Sequence, residues 1–116
     1  MSTKATIKLP TGQDIHVQTG LFIDNSFIPA IGGGTFETIN PATEEVICSV
    51  SEAKTEDIDA AVTSARKAFK TTWGLNISGT ERGKLIYALA DLMERDQQLL
   101  AELESLDNGK PVRIAR

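Results

Sequence analysis

The apolar pattern of this chain changes period once, near Ala53, and that change limits the folds open to it. Before Ala53 the apolar residues alternate with polar ones in short runs, as on strands with one face covered. After it they recur three and four residues apart, as on amphipathic helices. Strands that come first, in adjacent pairs, and helices that come later give an α+β unit. No strand–helix–strand alternation is visible, so the chain holds no complete parallel half of a dinucleotide-binding sheet. The two regions are residues 1–53, built of β-hairpins, and residues 54–116, built of about three helices.

Three hairpins are expected. Ala5–Leu9 and Asp14–Gln18 alternate on either side of Pro10-Thr11-Gly12. Leu21-Phe22-Ile23 and Ser26-Phe27-Ile28 flank Asp24-Asn25, two residues that tolerate positive φ and so suit a tight two-residue turn. Thr35–Ile39 and Glu45–Val50 flank Asn40-Pro41-Ala42-Thr43, with Pro41 in the turn because it cannot donate to a ladder. Gly32-Gly33-Gly34 precedes a strand-like run. A phosphate cradle must open a helix, so this triplet reads as a loop.

The first helix carries Ile58, Ala61, Val62, Ala65, Ala68 and Phe69 at helical spacing. Thr55 is the expected cap, with Glu56, Asp57 and Asp59 in the first turn, where the dipole favours acids. Trp73–Asn76 breaks the pattern. Ser78-Gly79-Thr80-Glu81 has capping-box spacing and opens a helix bearing Leu85, Leu89, Leu92 and Met93. Asp96 is placed to cap a last helix, Gln97–Leu106, which Asn108-Gly109 ends and Pro111 keeps from resuming.

Charge and composition exclude several functions. The 116 residues carry a net charge of −4 with no basic cluster, so nothing is set up to neutralise nucleic-acid phosphates or an anionic membrane. No apolar run reaches the length of a membrane span. The stretch from Met1 to Gln18 has neither the apolar core of a secretory signal nor the arginine-rich character of a transit peptide. With Cys48 alone there is no internal disulfide, which suits a reducing, cytoplasmic setting.

Few side chains suggest chemistry. Cys48, among apolar strand residues with two valines on its face, reads as a small buried residue rather than a nucleophile, since no base accompanies it. His16 reads as an exposed strand residue. Glu102 and Glu104 point in different directions on a helix, so they read as a solvated face. Asp107 is the exception. A carboxylate in a last helical turn meets the negative end of the dipole, so it calls for a positive partner: Lys110, an arginine or a bound cation.

The segment Leu106-Asp107-Asn108-Gly109-Lys110-Pro111 resembles one found in NAD(P)-dependent aldehyde dehydrogenases. So, in order, do Leu21–Asn25, Thr38-Ile39-Asn40-Pro41-Ala42-Thr43-Glu44, Asp57–Phe69, Glu81–Leu85 and Leu89–Glu94. The likeness spans about Leu21 to Pro111 and is greatest to the general NAD-dependent members, fungal ones included. It implies an incomplete part of the family's cofactor-binding domain. It also implies a parent enzyme that oxidises aldehydes to carboxylates with NAD or NADP and forms a homo-oligomer.

In that family a cysteine thiolate attacks the aldehyde, hydride passes to the nicotinamide and a glutamate activates the hydrolytic water. None of those motifs, nor the nucleotide-binding turn, matches a position in this sequence. The chain therefore reads as an N-terminal segment, inactive by itself, with no catalytic or cofactor-binding residue to assign. One site carries over: a sodium or potassium ion held by backbone carbonyls at Thr38 and Ile39 and by Asp107. The alternatives are a non-catalytic scaffold that binds full-length subunits and a small cation-binding module.

Overall fold

The computed structural model describes residues 3–115. Met1, Ser2 and Arg116, at the outer ends of the two regions, lie outside the described residues. The strands are β1 (Lys4–Lys8), β2 (Asp14–Gln18), β3 (Leu21–Ile23), β4 (Ser26–Ile28), β5 (Thr35–Ile39) and β6 (Val46–Ser51). The helices are α1 (Thr55–Ala68), α2 (Gly79–Arg95), α3 (Gln97–Asn108) and α4 (Val112–Ala115). The α+β class and the hairpins-then-helices order are as expected.

Each strand pairs only with its sequence neighbour, antiparallel, giving three two-stranded sheets among the described residues. Asp24 and Asn25 take φ values of 50° and 60°, the left-handed pair that closes a two-residue hairpin. Across it Phe22 faces Phe27, with ring centroids 4.8 Å apart. Between β5 and β6 the ladder steps from Thr38 opposite Cys48 to Ile39 opposite Val46, so Ile47 is the extra residue of a bulge. The glycine triplet forms a single tight turn, Ile31–Gly33, with Gly32 and Gly33 at positive φ.

Three local expectations are corrected. Thr55 does not cap α1. Lys54 holds that position in extended backbone, and Asp57 closes the turn from inside the helix by accepting the Lys54 N–H at 2.9 Å. Asp96 stands at the start of α3 but does not cap it, because its carboxylate is taken by Arg95 at 2.6 Å. Pro111 does not prevent a further helical turn. It starts one, accepting N–H bonds from Ile114 and Ala115. Its missing N–H costs nothing at a helix start. The Ser78–Glu81 box forms as read, with Glu81 N–H on Ser78 Oγ and Ser78 N–H on Glu81 Oε2.

α1 runs into one wider turn, Phe69–Trp73, closed by Gly74 N–H on Phe69 O. A Cβ on Gly74 would lie 2.1 Å from that same oxygen, so only glycine fits there. Several contacts among the described residues tie the halves together, Thr11 to Glu102 among them at 2.8 Å. Ser64 donates to Asp24 at 3.1 Å, and Asp57, 1% exposed, accepts from Ile31 N–H at 3.0 Å as well as from Lys54.

The body is open and flat, 47 × 36 × 19 Å. Its radius of gyration is 17.0 Å, against about 13 Å for a compact domain of this length. Its accessible surface of 8472 Å² exceeds by roughly 2,000 Å² what a folded monomer of this size exposes. The apolar residues buried among those described are Ile7, Leu9, Ala30 and Ala101. On α2, Leu85, Ile86, Leu89, Leu92 and Met93 are all between 48% and 60% exposed. The stripe written into that helix has no partner within the described residues.

Candidate functional site

At the third hairpin and the end of α3, residues singled out from sequence meet. The turn after β5 is built by Asn40, whose side chain accepts the Ala42 N–H at 2.9 Å and whose main chain exchanges bonds with Glu44 and Glu45. This turn carries Pro41 against the C-terminus of α3. Gly109 sits there at φ 77°, the left-handed conformation that ends a helix, and a Cβ on it would lie 3.1 Å from Pro41 Cγ. Glycine at this point thus serves both the backbone reversal and the close approach.

A groove of about 390 Å³ opens beside this junction. Thr38 and Asp107 stand on its wall, among Val17, Ile47, Cys48, Val50, Leu103 and Leu106. Thr38 Oγ1 donates to the Cys48 carbonyl at 3.2 Å. Ile39 lies beyond the bulge, outside the lining of this groove and 45% exposed. The structure brings Thr38 and Asp107 to one wall, with Ile39, next to Thr38 on β5, outside the lining.

Lys110 does not compensate Asp107. Its ammonium pairs with Glu104 at 2.9 Å, a hydrogen bond and charge that hold the Glu104 carboxyl below its ordinary range. Among the described residues the Asp107 carboxylate, exposed at the negative end of α3, has no hydrogen-bond or ion-pair partner.

The remaining candidates divide. His16 is exposed on β2, and a hydrogen bond of 2.9 Å joins it to Thr6 across the hairpin. Cys48 is only half-buried, not fully. The bulge leaves Val50 in the groove with it but turns Val46 away, so only one of the two valines shares its surroundings. Among the described residues no group of three or more His, Cys, Asp or Glu side chains converges on a metal position.

Glu102 corrects the expectation of a solvated face. It is 4% exposed and accepts from Thr11 Oγ1 at 2.8 Å and from Gln98 Nε2. Glu104 does stay at the surface. The signal available for Glu102 was Gln98, four residues earlier on the same helix face; its partner Thr11 is 91 positions away. Asp57, three residues after the cap, likewise clamps two amides, one of them from Ile31, 26 positions away.

Comparison with known proteins gives this geometry its context. The model of the aldehyde dehydrogenase family matches residues 27–116. The chain belongs to the aldehyde dehydrogenase family. It is 50% identical over 113 residues to an aldehyde dehydrogenase of Alternaria alternata, covering 96% of this chain and 22% of that protein. It is 47% identical to one of Aspergillus niger, with the same coverage. Among solved structures, the NAD+ complex of the Bacillus cereus aldehyde dehydrogenase superposes with a TM-score of 0.81 at 47% identity. That match covers 96% of this chain and 23% of the other. The chain thus spans about a fifth of the length of the aldehyde dehydrogenases it matches.

Proposed function

We propose that these residues are the N-terminal part of an enzyme that oxidises aldehydes to carboxylates with NAD or NADP. In this reading the hairpin region and the helical region, residues 1–53 and 54–116, form one wall of the cofactor domain. They supply no catalytic or nucleotide-contacting group. The observation that carries this is the uncovered apolar face of α2 on a body far more exposed than a finished domain. Roughly 2,000 Å² of surplus surface is the area of a large permanent interface, which the remaining part of such an enzyme would cover. The family match and the NAD-bound relative support the chemistry of the whole.

The test is to supply the purified chain with acetaldehyde and NAD and follow absorbance of the reduced cofactor. The expected result is no turnover above buffer; measurable turnover would refute the assignment. The parent enzyme is proposed to be a homo-oligomer of the cytoplasm; within these residues Cys48 is a free, half-buried thiol, which suits that setting. No helix of the described residues is long and apolar enough to cross a membrane.

A sodium or potassium ion is proposed at the junction of the third hairpin and α3. Asp107 would hold it by its carboxylate, and Thr38 and Ile39 by their carbonyls. The donor set fits a hard cation, which takes oxygen ligands, and a positive charge there offsets both the carboxylate and the helix end. Thr38 and Asp107 share one groove wall, which supports that pair directly. Titration of either ion should raise the melting temperature of the chain but not of Asp107→Ala; equal response of the two would remove the site.

A further inference from the structure

We infer that Asn108 is a site of spontaneous deamidation and isoaspartate formation, a covalent modification built into the junction of α3 with the third hairpin. The reaction needs three things: an asparagine amide carbon held over the following peptide, a following nitrogen that can attack it, and water. The chain has four asparagines, and each meets these needs differently.

Asn108 is exposed at the last position of α3 and is followed by Gly109, which has no side chain to obstruct ring closure. Its Oδ1 accepts the N–H of Lys110 at 2.8 Å. That bond bends the side chain back across the Asn108–Gly109 peptide and draws electron density from the amide carbon. Asn40 makes the same bond to Ala42 at 2.9 Å, but Pro41 follows it and offers no N–H. Asn76 is followed by β-branched Ile77, and its amide is engaged with the Lys70 and Thr71 carbonyls. Asn25 is followed by Ser26 and fixed in a hairpin turn. The Asn108 side chain also hydrogen-bonds the exposed Glu104 carboxylate, yet of the four asparagines it alone joins a bent amide, a following residue without a side chain, and solvent.

The chemistry balances with water as the sole co-reactant. The Gly109 nitrogen loses its proton to base and forms a bond to Asn108 Cγ, and the amide nitrogen leaves as ammonia. Water then opens the five-membered imide. Cleavage at the former main-chain carbonyl reroutes the backbone through Cγ and gives isoaspartate; cleavage at the other carbonyl gives aspartate. Either product adds a carboxylate beside Asp107 at the negative end of α3. Isoaspartate also lengthens the backbone where Gly109 meets Pro41.

One bond restrains the reaction. Gly109 N–H donates to Ser105 O at 3.0 Å, so the last turn of α3 must open before the nitrogen can attack. One net hydrogen bond slows conversion about five- to tenfold relative to the unfolded chain.

The test is a time course of the purified 116-residue chain at neutral and mildly alkaline pH, with and without urea. Peptide mapping by mass spectrometry and labelling by an isoaspartyl methyltransferase with S-adenosylmethionine report the product. Asn108 should convert first of the four, faster at higher pH and about five- to tenfold slower in buffer than in urea. Asn108→Gln should abolish the methyl label on that peptide. No conversion at Asn108 in buffer, or conversion at Asn25 or Asn76 at an equal rate, would overturn the inference.

Discussion

Replacing Asp57 with alanine should unfold the junction between the hairpins and α1 before anything else. Both carboxylate oxygens are engaged, Oδ1 by Ile31 N–H at 3.0 Å and Oδ2 by Lys54 N–H at 2.9 Å. The side chain is 1% exposed, so both amides lose a charged acceptor in a site with little access to water. Each orphaned amide costs about 1–3 kcal/mol, and partial hydration at the rim brings the total to about 3 kcal/mol. That is a large share of a typical domain's stability, and at about 4 °C per kcal/mol it lowers Tm by roughly 12 °C. Asp57→Asn keeps one acceptor but turns an N–H donor toward the other amide, for a loss of about 2 kcal/mol. Asp59, exposed in the same helical turn, is the control, and its alanine variant should cost less than about 1 kcal/mol. The assay is urea and thermal unfolding followed by circular dichroism. Equal losses from Asp57→Ala and Asp59→Ala would refute the clamp.

Three further outcomes are expected. Gly109→Ala should lose about 1–2 kcal/mol in the same unfolding assay, because alanine must adopt φ 77° and its Cβ meets Pro41 at 3.1 Å. Hydrogen bonds from Ser78 hold the Glu81 carboxyl below its ordinary pKa. A lowered carboxylate pKa means its stabilisation is present above the unfolded value and disappears as pH falls through the folded one. Helicity of α2 should therefore fall on acidification below the ordinary carboxylate range, and Ser78→Ala should remove part of that acid step, read by circular dichroism. Leu89→Lys, on the uncovered face, should change the stability of the isolated chain by less than about 0.5 kcal/mol while reducing its self-association in sedimentation.

What could be read from sequence was local. Asp24-Asn25 announces its turn because both residues tolerate positive φ, and Ser78 with Glu81 announces a helix start because each satisfies the other's amide. Gly109 ends α3 for the same kind of reason. What escaped was set by contacts across the chain. Glu102 is buried because Thr11, in the first hairpin, reaches it. Asp57 displaces Thr55 as the organiser of the α1 start because Ile31 supplies a second donor. Asp96 fails as a cap because the neighbouring Arg95 competes for its carboxylate. At the candidate cation position, spacing alone does not show the bulge at Ile47, opposite the Thr38–Ile39 step.

The exposed face of α2 connects fold to function. A helix with apolar residues at Leu85, Leu89 and Leu92 is built to lie against something, and no other described element covers it. The decisive measurement is co-expression of this chain with the remaining four-fifths of a matched aldehyde dehydrogenase, followed by sedimentation and an NAD-reduction assay. One joint species that reduces NAD with aldehyde, where neither piece does so separately, is the predicted result. Two separately sedimenting pieces, with this chain monomeric and its α2 face solvated in both, would contradict it.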